Sequence, residues 1–272
     1  MFEIPAERLP PGFVDTVEEV PERPATPRPA ATIVLMRDGT AGPEVLLMRR
    51  HRGSGFVPGA WVFPGGRVDT ADSGPALYER IEGLPTDPSP DSDFWTAALR
   101  ELFEETGVLL ARDAQGTWAA DATADRRLKG HRSALLEGTA AMLDVLEDLD
   151  LRLVADGMVH IAHWVTPVVE PRRYDTHFFV AALPPDRTAA ADAREMTDTV
   201  WSTPAAALER FEAGALPMVF PTVKTLETLR GYGSVEDALT SLRHRNVPRI
   251  LPRLVRTEKG VAIVIEGEKE AH

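Results

Sequence analysis

The chain has 272 residues, 43% of them apolar, which is enough to bury a sizeable core in one large or two small domains. Its 42 acidic side chains outnumber 30 Lys and Arg, and the formal charge of −12 argues against a nucleic-acid partner held by bulk charge. There is no cysteine, which excludes disulfides, thiolate nucleophiles and cysteine-ligated metals. Without a secretory pattern or an apolar run of about 20 residues, we expect a soluble, cytoplasmic protein with no membrane partner.

The N-terminal half predicts strands followed by a helix. Residues 1–30 are rich in proline and charge and predict an arm that is extended over a surface or disordered. Apolar runs at 31–39 and 44–51 predict adjacent strands, and a third strand follows that Pro64 stops. Residues 67–92 are proline-containing and predict an insertion. A helix is expected over 93–106, with its N-cap at Asp91, Ser92 or Asp93. Gly107 is suited to the left-handed conformation of its C-terminal cap.

The C-terminal half alternates strands and helices irregularly. After a return to a sheet at 108–111, residues 124–149 predict one or two helices. Strands are then expected at 158–169, 174–183 and 198–202, helices at 204–214, 221–231 and 234–245, and a hairpin around Lys259 and Gly260. This order is typical of a mixed α/β or α+β layered fold. We expect three regions: an arm (1–30), a main domain (31–215) and a C-terminal helical extension with a tail (216–272).

The segment RELFEETG, residues 100–107, contains three glutamates and no lysine. On a helix, Glu101, Glu104 and Glu105 share one face, and the apolar side chains fall on the other. Glu101 and Glu105 form a like-charged i,i+4 pair that costs a few tenths of a kcal/mol. A solvated helix surface is one interpretation of this pattern. A hard divalent cation with oxygen ligands is the other, because it would relieve the repulsion.

Residues 100–108 resemble the second half of the Nudix box, G-x5-E-x7-R-E-U-x-E-E-x-G-U, where U is aliphatic, at each fixed position. FPGGRVD, residues 63–69, resembles the opening of the same box, with Gly66 as its first glycine. Residues 67–99 separate that glycine from Arg100, which is more than the pattern allows. Counted back from Arg100, the intermediate glutamate of the box would fall on Ser92, so we expect that acidic position to be missing.

The interrupted box is similar to the Nudix subgroup that includes the peroxisomal coenzyme A diphosphatases. The resemblance implies a Nudix-type α/β/α sandwich with a mixed sheet, an insertion inside the box and extra C-terminal helices. It also implies hydrolysis of a nucleoside diphosphate derivative with Mg²⁺ or Mn²⁺, with coenzyme A or acyl-CoA favoured as the small-molecule substrate. Diphosphatase activity on NADH, ADP-ribose or dinucleoside polyphosphates and a non-catalytic nucleotide sensor are the alternatives. A homodimer is compatible with the sequence.

The resemblance also assigns roles to individual residues. Arg100 is expected to orient the carboxylates, and the general base is expected to be Glu101 or, as second choice, Glu195. The expected metal ligands are Glu101, Glu105, the supporting Glu104 and the carbonyl of Gly65.

Other polar residues carry weaker hypotheses. Arg49 and Arg52, in a basic loop, and Arg172 and Arg173, between strands, are candidates for binding substrate phosphates or adenine, with solvated loops as the alternative. His160 and His163 resemble a ligand pair, but three residues apart on a regular strand they would point to opposite faces. We therefore expect no site there.

Overall fold

The computed structural model describes residues 2–51, 58–86, 90–191 and 196–265. The strands in these ranges are β1 (Phe2–Pro5), β2 (Arg28–Gly39), β3 (Gly42–Arg50), β4 (Trp61–Val62), β5 (Gly65–Arg67), β6 (Ile81–Glu82), β7 (Ala111–Arg112), β8 (Arg152–Val154), β9 (Val159–Val165), β10 (Tyr174–Ala182), β11 (Met196–Ser202), β12 (Arg249–Ile250), β13 (Arg253–Arg256) and β14 (Gly260–Val264). The helices are α1 (Phe13–Thr16), α2 (Pro75–Tyr78), α3 (Ser92–Thr106), α4 (Arg126–Leu136), α5 (Met142–Leu149), α6 (Pro204–Glu212), α7 (Phe220–Leu229) and α8 (Val235–Leu242).

A mixed sheet forms the centre of the fold. Its strand order is β11-β3-β2-β10-β9-β12, with β4 beside β3 and β5 beside β2. The β2–β10 and β9–β12 pairs are parallel, and the other pairs in this sheet are antiparallel. The third predicted strand is divided at Pro64, because β4 pairs with β3 whereas β5 pairs with β2. This division carries the glycines of β5 to the middle of the sheet.

Helices cover both faces of this sheet. Strand alternation along β2 sends Ile33 and Leu35 to one core and Val34 and Met36 to the other. The first core packs against α3, α4 and α5, and the second against α6, α7 and α8. The α/β/α sandwich with a mixed sheet is therefore confirmed. The C-terminal helices form the second helical layer, because their apolar faces bury one whole side of the sheet.

The two ends of the chain pair with each other. β1 is antiparallel to β14, and β14 continues into β13 as the predicted hairpin. The ring of Phe2 stacks on Phe211 with centroids 5.7 Å apart and meets the edge of Phe220 at 5.2 Å. The start of the N-terminal arm is thus an ordered strand, anchored by backbone pairing and by aromatic contacts that a proline-rich composition does not reveal.

The insertion is part of the first core. Leu77 of α2 and Ile81 of β6 are buried there, and β6 pairs in parallel with β8. β7, at the end of the segment expected to return to a sheet, joins β8 on its other side, so it belongs to this small sheet and not to the central one. The Tyr78 hydroxyl donates to Asp93 at 2.9 Å and ties the insertion to the start of α3.

Candidate active site

Helix α3 presents the three glutamates. Leu99, Leu102 and Phe103 are fully buried against the sheet, which fixes the rotation of the helix about its axis. Asp91 is the N-cap residue, and Gly107 ends the helix in the left-handed conformation at φ 76°, as predicted. The opposite face of the helix then lies along β5, with Glu101, Glu104 and Glu105 lining one cavity together with Gly65 and Gly66.

Arg100 holds this cluster together from inside the protein. Its Nη1 donates to Glu101 at 2.9 Å and to Glu104 at 3.1 Å. Its Nε and Nη2 donate to the two carboxylate oxygens of Asp72 at 2.8 and 2.9 Å, and Nη2 also donates to the carbonyl of Arg67 at 2.8 Å. The side chain is 6% exposed. A buried guanidinium that donates to several acceptors at once fixes the position of each carboxylate that it contacts.

Asp72 occupies the acidic position of the box that we expected to be missing. It is the sixth residue after Gly66, as G-x5-E requires, and it is fully buried at the end of a 3₁₀ turn. The insertion therefore follows Asp72, and its start predicted at residue 67 is wrong. The inserted residues shift any position of the box that is located by its distance from Arg100. Counting forward from the glycine finds the residue in the sequence. An aspartate serves there because the turn brings its shorter side chain to Arg100.

The two glycines leave room for the glutamates. The Gly65 amide donates to Glu105 Oε2 at 3.0 Å. A Cβ at Gly65 would lie 2.5 Å from the carbonyl oxygen of Ala31, and one at Gly66 would lie 2.6 Å from the Glu101 carboxyl carbon. Any larger residue at either position would displace the β2 backbone or the Glu101 carboxylate. The glycines are thus required by the close approach of β5 to both neighbours.

Carboxylates outnumber the guanidinium at the centre of the cluster. Asp72, Glu101 and Glu104 all accept hydrogen bonds from Arg100, and Glu105 lines the same cavity as the other two glutamates. Burial raises the pKa of Glu101 to about 7, against the opposing effect of Arg100, and burial also raises the pKa of Glu104. An all-oxygen donor set with excess negative charge suits a hard divalent cation such as Mg²⁺ or Mn²⁺. The residues therefore fit a divalent metal site.

Arg132 of α4 is a second positioning residue, and the sequence did not single it out. Its Nε donates to the carbonyl of Glu104, and its Nη2 donates to the carbonyl of Glu105, each at 2.8 Å. Nη2 also reaches the carbonyl of Ala190 at 3.1 Å. A cation at the last carbonyls of a helix satisfies acceptors that have no partner in the helix and complements its dipole. Arg132 thereby fixes the glutamate-bearing turn to the loop before β11.

The cavity that contains the carboxylates has a volume of about 1380 Å³. Its polar lining includes the glutamates, Asp69 and the basic residues Arg8, Arg50 and Arg67. Much of the remaining lining is apolar and comes from the N-terminal strand, the sheet surface, the end of α4 and α6–α7 with the loop between them. Its large apolar side chains include Phe2, Ile4, Trp164, Phe178, Phe211, Met218, Phe220 and Ile263.

The predicted substrate-binding arginines are mostly placed elsewhere. Arg49 lies 3.8 Å from Asp198 and is not among the described residues that line the cavity. Its neighbour Arg50 does line the cavity, because alternate residues of β3 face opposite sides of the sheet. Arg172 is exposed and is not among the described residues that line the cavity. Arg173 is buried and donates to the carbonyls of Thr166 and Ala25. It therefore has a structural role in place of the predicted role in substrate binding. Arg52 and Glu195 lie outside the described residues.

The expectation that His160 and His163 point to opposite faces is wrong. His163 pairs with His177 of β10, but His160 pairs with Phe179, so Ile161 is an extra residue in β9. A β-bulge of this kind breaks the two-residue alternation. Both histidines therefore face the side of His177, and His160 Nε2 lies 2.9 Å from His177 Nδ1.

Within the described ranges, no helix is both long and apolar enough to cross a lipid bilayer.

The sandwich and its carboxylate centre are those of a hydrolase of the Nudix type. The family model of the NUDT19 Nudix domain matches residues 82–229. Acyl-coenzyme A diphosphatase NUDT19 of Xenopus laevis is 24% identical over 274 residues, covering 85% of this chain and 72% of that protein. Acyl-coenzyme A diphosphatase NUDT19 of Homo sapiens is 27% identical over 304 residues, covering 90% of this chain and 80% of that protein. A crystal structure of a NUDIX hydrolase from Alicyclobacillus acidocaldarius superposes with a TM-score of 0.69 at 31% identity, covering 82% of this chain and 99% of that one.

The chain belongs to the NUDT19 branch of the Nudix family, and it is a Nudix hydrolase.

Proposed function

We propose that this protein hydrolyses the diphosphate bond of coenzyme A or acyl-CoA with Mg²⁺ or Mn²⁺. The observation that carries the proposal is the cavity in which three glutamates, two held by Arg100 and the third by the Gly65 amide, share one space with apolar side chains. The relatives named acyl-coenzyme A diphosphatase support the choice of substrate.

Glu101, Glu104 and Glu105 would hold the metal, and the Gly65 carbonyl remains our candidate for a further ligand. When bound, the ion would neutralise the diphosphate and lower the pKa of a water molecule. The protein itself contributes the orientation of the carboxylates through Arg100, Asp72 and the Gly65 amide. We assign Glu101 as the general base for the attacking water, since it lines the cavity and lies against Gly66.

The shape and polarity of the cavity favour an elongated conjugate over a compact nucleotide. Arg50 and Arg67, beside the carboxylates, can receive phosphate groups as cations. The apolar end, with Phe2, Phe211 and Trp164, would be poorly matched to a second sugar and base with several hydroxyls. An acyl-pantetheine arm would instead bury its methylenes there, at about 0.8 kcal/mol for each.

Product analysis by mass spectrometry tests the proposal. Purified protein is incubated with free coenzyme A, acyl-CoA, NADH, ADP-ribose and dinucleoside polyphosphates, each with Mg²⁺ and with Mn²⁺. We expect 3′,5′-ADP together with 4′-phosphopantetheine or its acyl form. Glu105→Gln should lower kcat by about 10³-fold, because the Lewis-acid contribution of the metal amounts to several kcal/mol.

The matched control is Glu209→Gln on the exposed side of α6, which should retain full activity. Preferred cleavage of NADH, ADP-ribose or a dinucleoside polyphosphate would contradict the choice of substrate. Cleavage of none of the panel with either metal would favour the nucleotide-sensing alternative.

A further inference from the structure

A second cluster of metal-ligating side chains lies on the other face of β10. Tyr174, Thr176 and Phe178 line the cavity described above. Asp175 and His177 alternate with them along the strand and therefore face the opposite side. His163 is directly across from His177 on β9. One ligand atom from each of these three residues lies within 4.8 Å of the other two.

We propose that His163, Asp175 and His177 form a zinc-type metal site separate from the carboxylate centre. Two imidazoles and one carboxylate are a common set of three protein ligands for Zn²⁺, with a fourth position left for water. The donor chemistry differs from that of the glutamates, because imidazole nitrogen favours Zn²⁺, Co²⁺ or Ni²⁺ over Mg²⁺. The two centres are therefore distinguishable by metal as well as by position.

The existing contacts already prepare the ligands. His163 Nε2 is hydrogen-bonded to Asp175 Oδ1, so a cation could replace the shared proton. His177 Nδ1 is bonded to His160 Nε2 at 2.9 Å. When His177 donates in that bond, the lone pair on its Nε2 is free to bind metal. A ring nitrogen that donates to a neighbour is the usual way in which a ligating histidine is held in one tautomer. His160 is thus assigned as the positioning residue.

The cluster is also accessible to a metal ion. His163 and Asp175 are partly exposed at the side chain, at 15% and 29%, whereas His177 is buried against Phe94 of α3. The His163 and His177 rings stack with centroids 3.8 Å apart. Because an imidazole lone pair lies in the plane of its ring, binding requires the more exposed His163 ring to turn out of this stack. Arg249, 3.9 Å from the second oxygen of Asp175, is half-exposed and can move to solvent.

Calorimetric titration of chelator-treated, tag-free full-length protein with Zn²⁺ tests the proposal, in excess Mg²⁺ to occupy the carboxylate centre. We expect one Zn²⁺ to bind in wild type and in a Glu101→Gln, Glu105→Gln double variant. His163→Ala and His177→Ala should each weaken Zn²⁺ binding by more than about 100-fold, and His160→Ala by about 10- to 100-fold, as is usual when a residue that hydrogen-bonds a metal ligand is removed. Co²⁺ titration should give the absorption of a nitrogen-ligated ion in wild type and not in His177→Ala.

The matched control is His131→Ala, which removes a histidine that also pairs with an aspartate, Asp148, at 2.8 Å. It should not change Zn²⁺ binding. Near-ultraviolet circular dichroism of each metal-free variant shows whether it is folded. Wild-type Zn²⁺ affinity in folded His163→Ala and His177→Ala, or loss of the zinc in the double glutamate variant, would overturn the proposal. Neither result depends on which diphosphate the enzyme cleaves.

Discussion

The carboxylate centre and the histidine cluster both adjoin α3, the first through its glutamates and the second through Phe94, but they are built in different ways. The glutamates come from one helix, and the buried guanidinium of Arg100 fixes two of them, Glu101 and Glu104. The histidines come from two strands, and a bulge at Ile161 brings the third one to their side. A cluster on one helix is set by local periodicity, whereas a cluster across strands depends on register. The first can be predicted from spacing, and the second cannot.

Removing the support of Arg100 should give the largest effect and separate the two clusters. In Asp72→Ala, the guanidinium loses its bidentate partner in a fully buried position. Breaking a buried ion pair from one side costs about 3–5 kcal/mol. We expect a decrease of that size in the free energy of unfolding, measured in urea, together with a loss of diphosphatase activity. Asp69→Asn, an exposed carboxylate 3.9 Å from Arg100, is the control and should change stability little. A stable, active Asp72→Ala would show that Arg100 is held by other contacts.

Moving one carboxylate without unfolding the protein should have a smaller effect. In Gly66→Ala, the new methyl group would push the Glu101 carboxylate from its position. A displacement of about 1 Å can cost about 10²-fold in rate, so we expect kcat to fall by that order with little change in melting temperature. The control is Gly130→Ala in α4, where a Cβ meets no atom within 4 Å. Unchanged kcat in Gly66→Ala would mean that Glu101 tolerates movement and is not the base. Zinc binding should be the same in both variants.

The two clusters should also respond to pH in opposite directions in the metal-free protein. Burial raises the pKa of Glu101 to about 7 from 4.5, and it lowers the pKa of His160 to about 4 and of His177 to about 3 from 6.5. Stability linked to Glu101 is therefore lost as pH rises from 4.5 through about 7. Stability linked to the histidines, which face one another and Asp175, is lost as pH falls from 6.5.

A metal ion bound by Glu101, as we propose, would replace its proton, so the stabilisation by Mn²⁺ should grow between about pH 6 and pH 8. Melting temperatures with a chelator and with Mn²⁺, measured across this range, check the expectation. Glu101→Gln should remove most of the increase. An increment that stays constant with pH in wild type would contradict the assigned cause of the shift.

The sequence alone determined the parts of this protein that depend on local periodicity. The apolar stripe of α3, its Gly107 cap and the common face of its three glutamates follow from the 3.6-residue repeat. The match to the second half of the Nudix box identified the family for the same reason, because its fixed positions all lie within residues 100–108.

Only the tertiary structure decided what lies between these local patterns. It placed Asp72 beside Arg100 across the insertion, and it paired β1 with β14 from opposite ends of the chain. It also selected Arg50 over Arg49 for the cavity and brought His160 to the side of His177. Asp72 depends on how the turn after β5 packs against α3, and the others depend on strand pairing or register, where one residue of shift reverses the face that a side chain occupies. Composition and spacing do not determine that register, because it is set by how the whole sheet packs between its two helical layers.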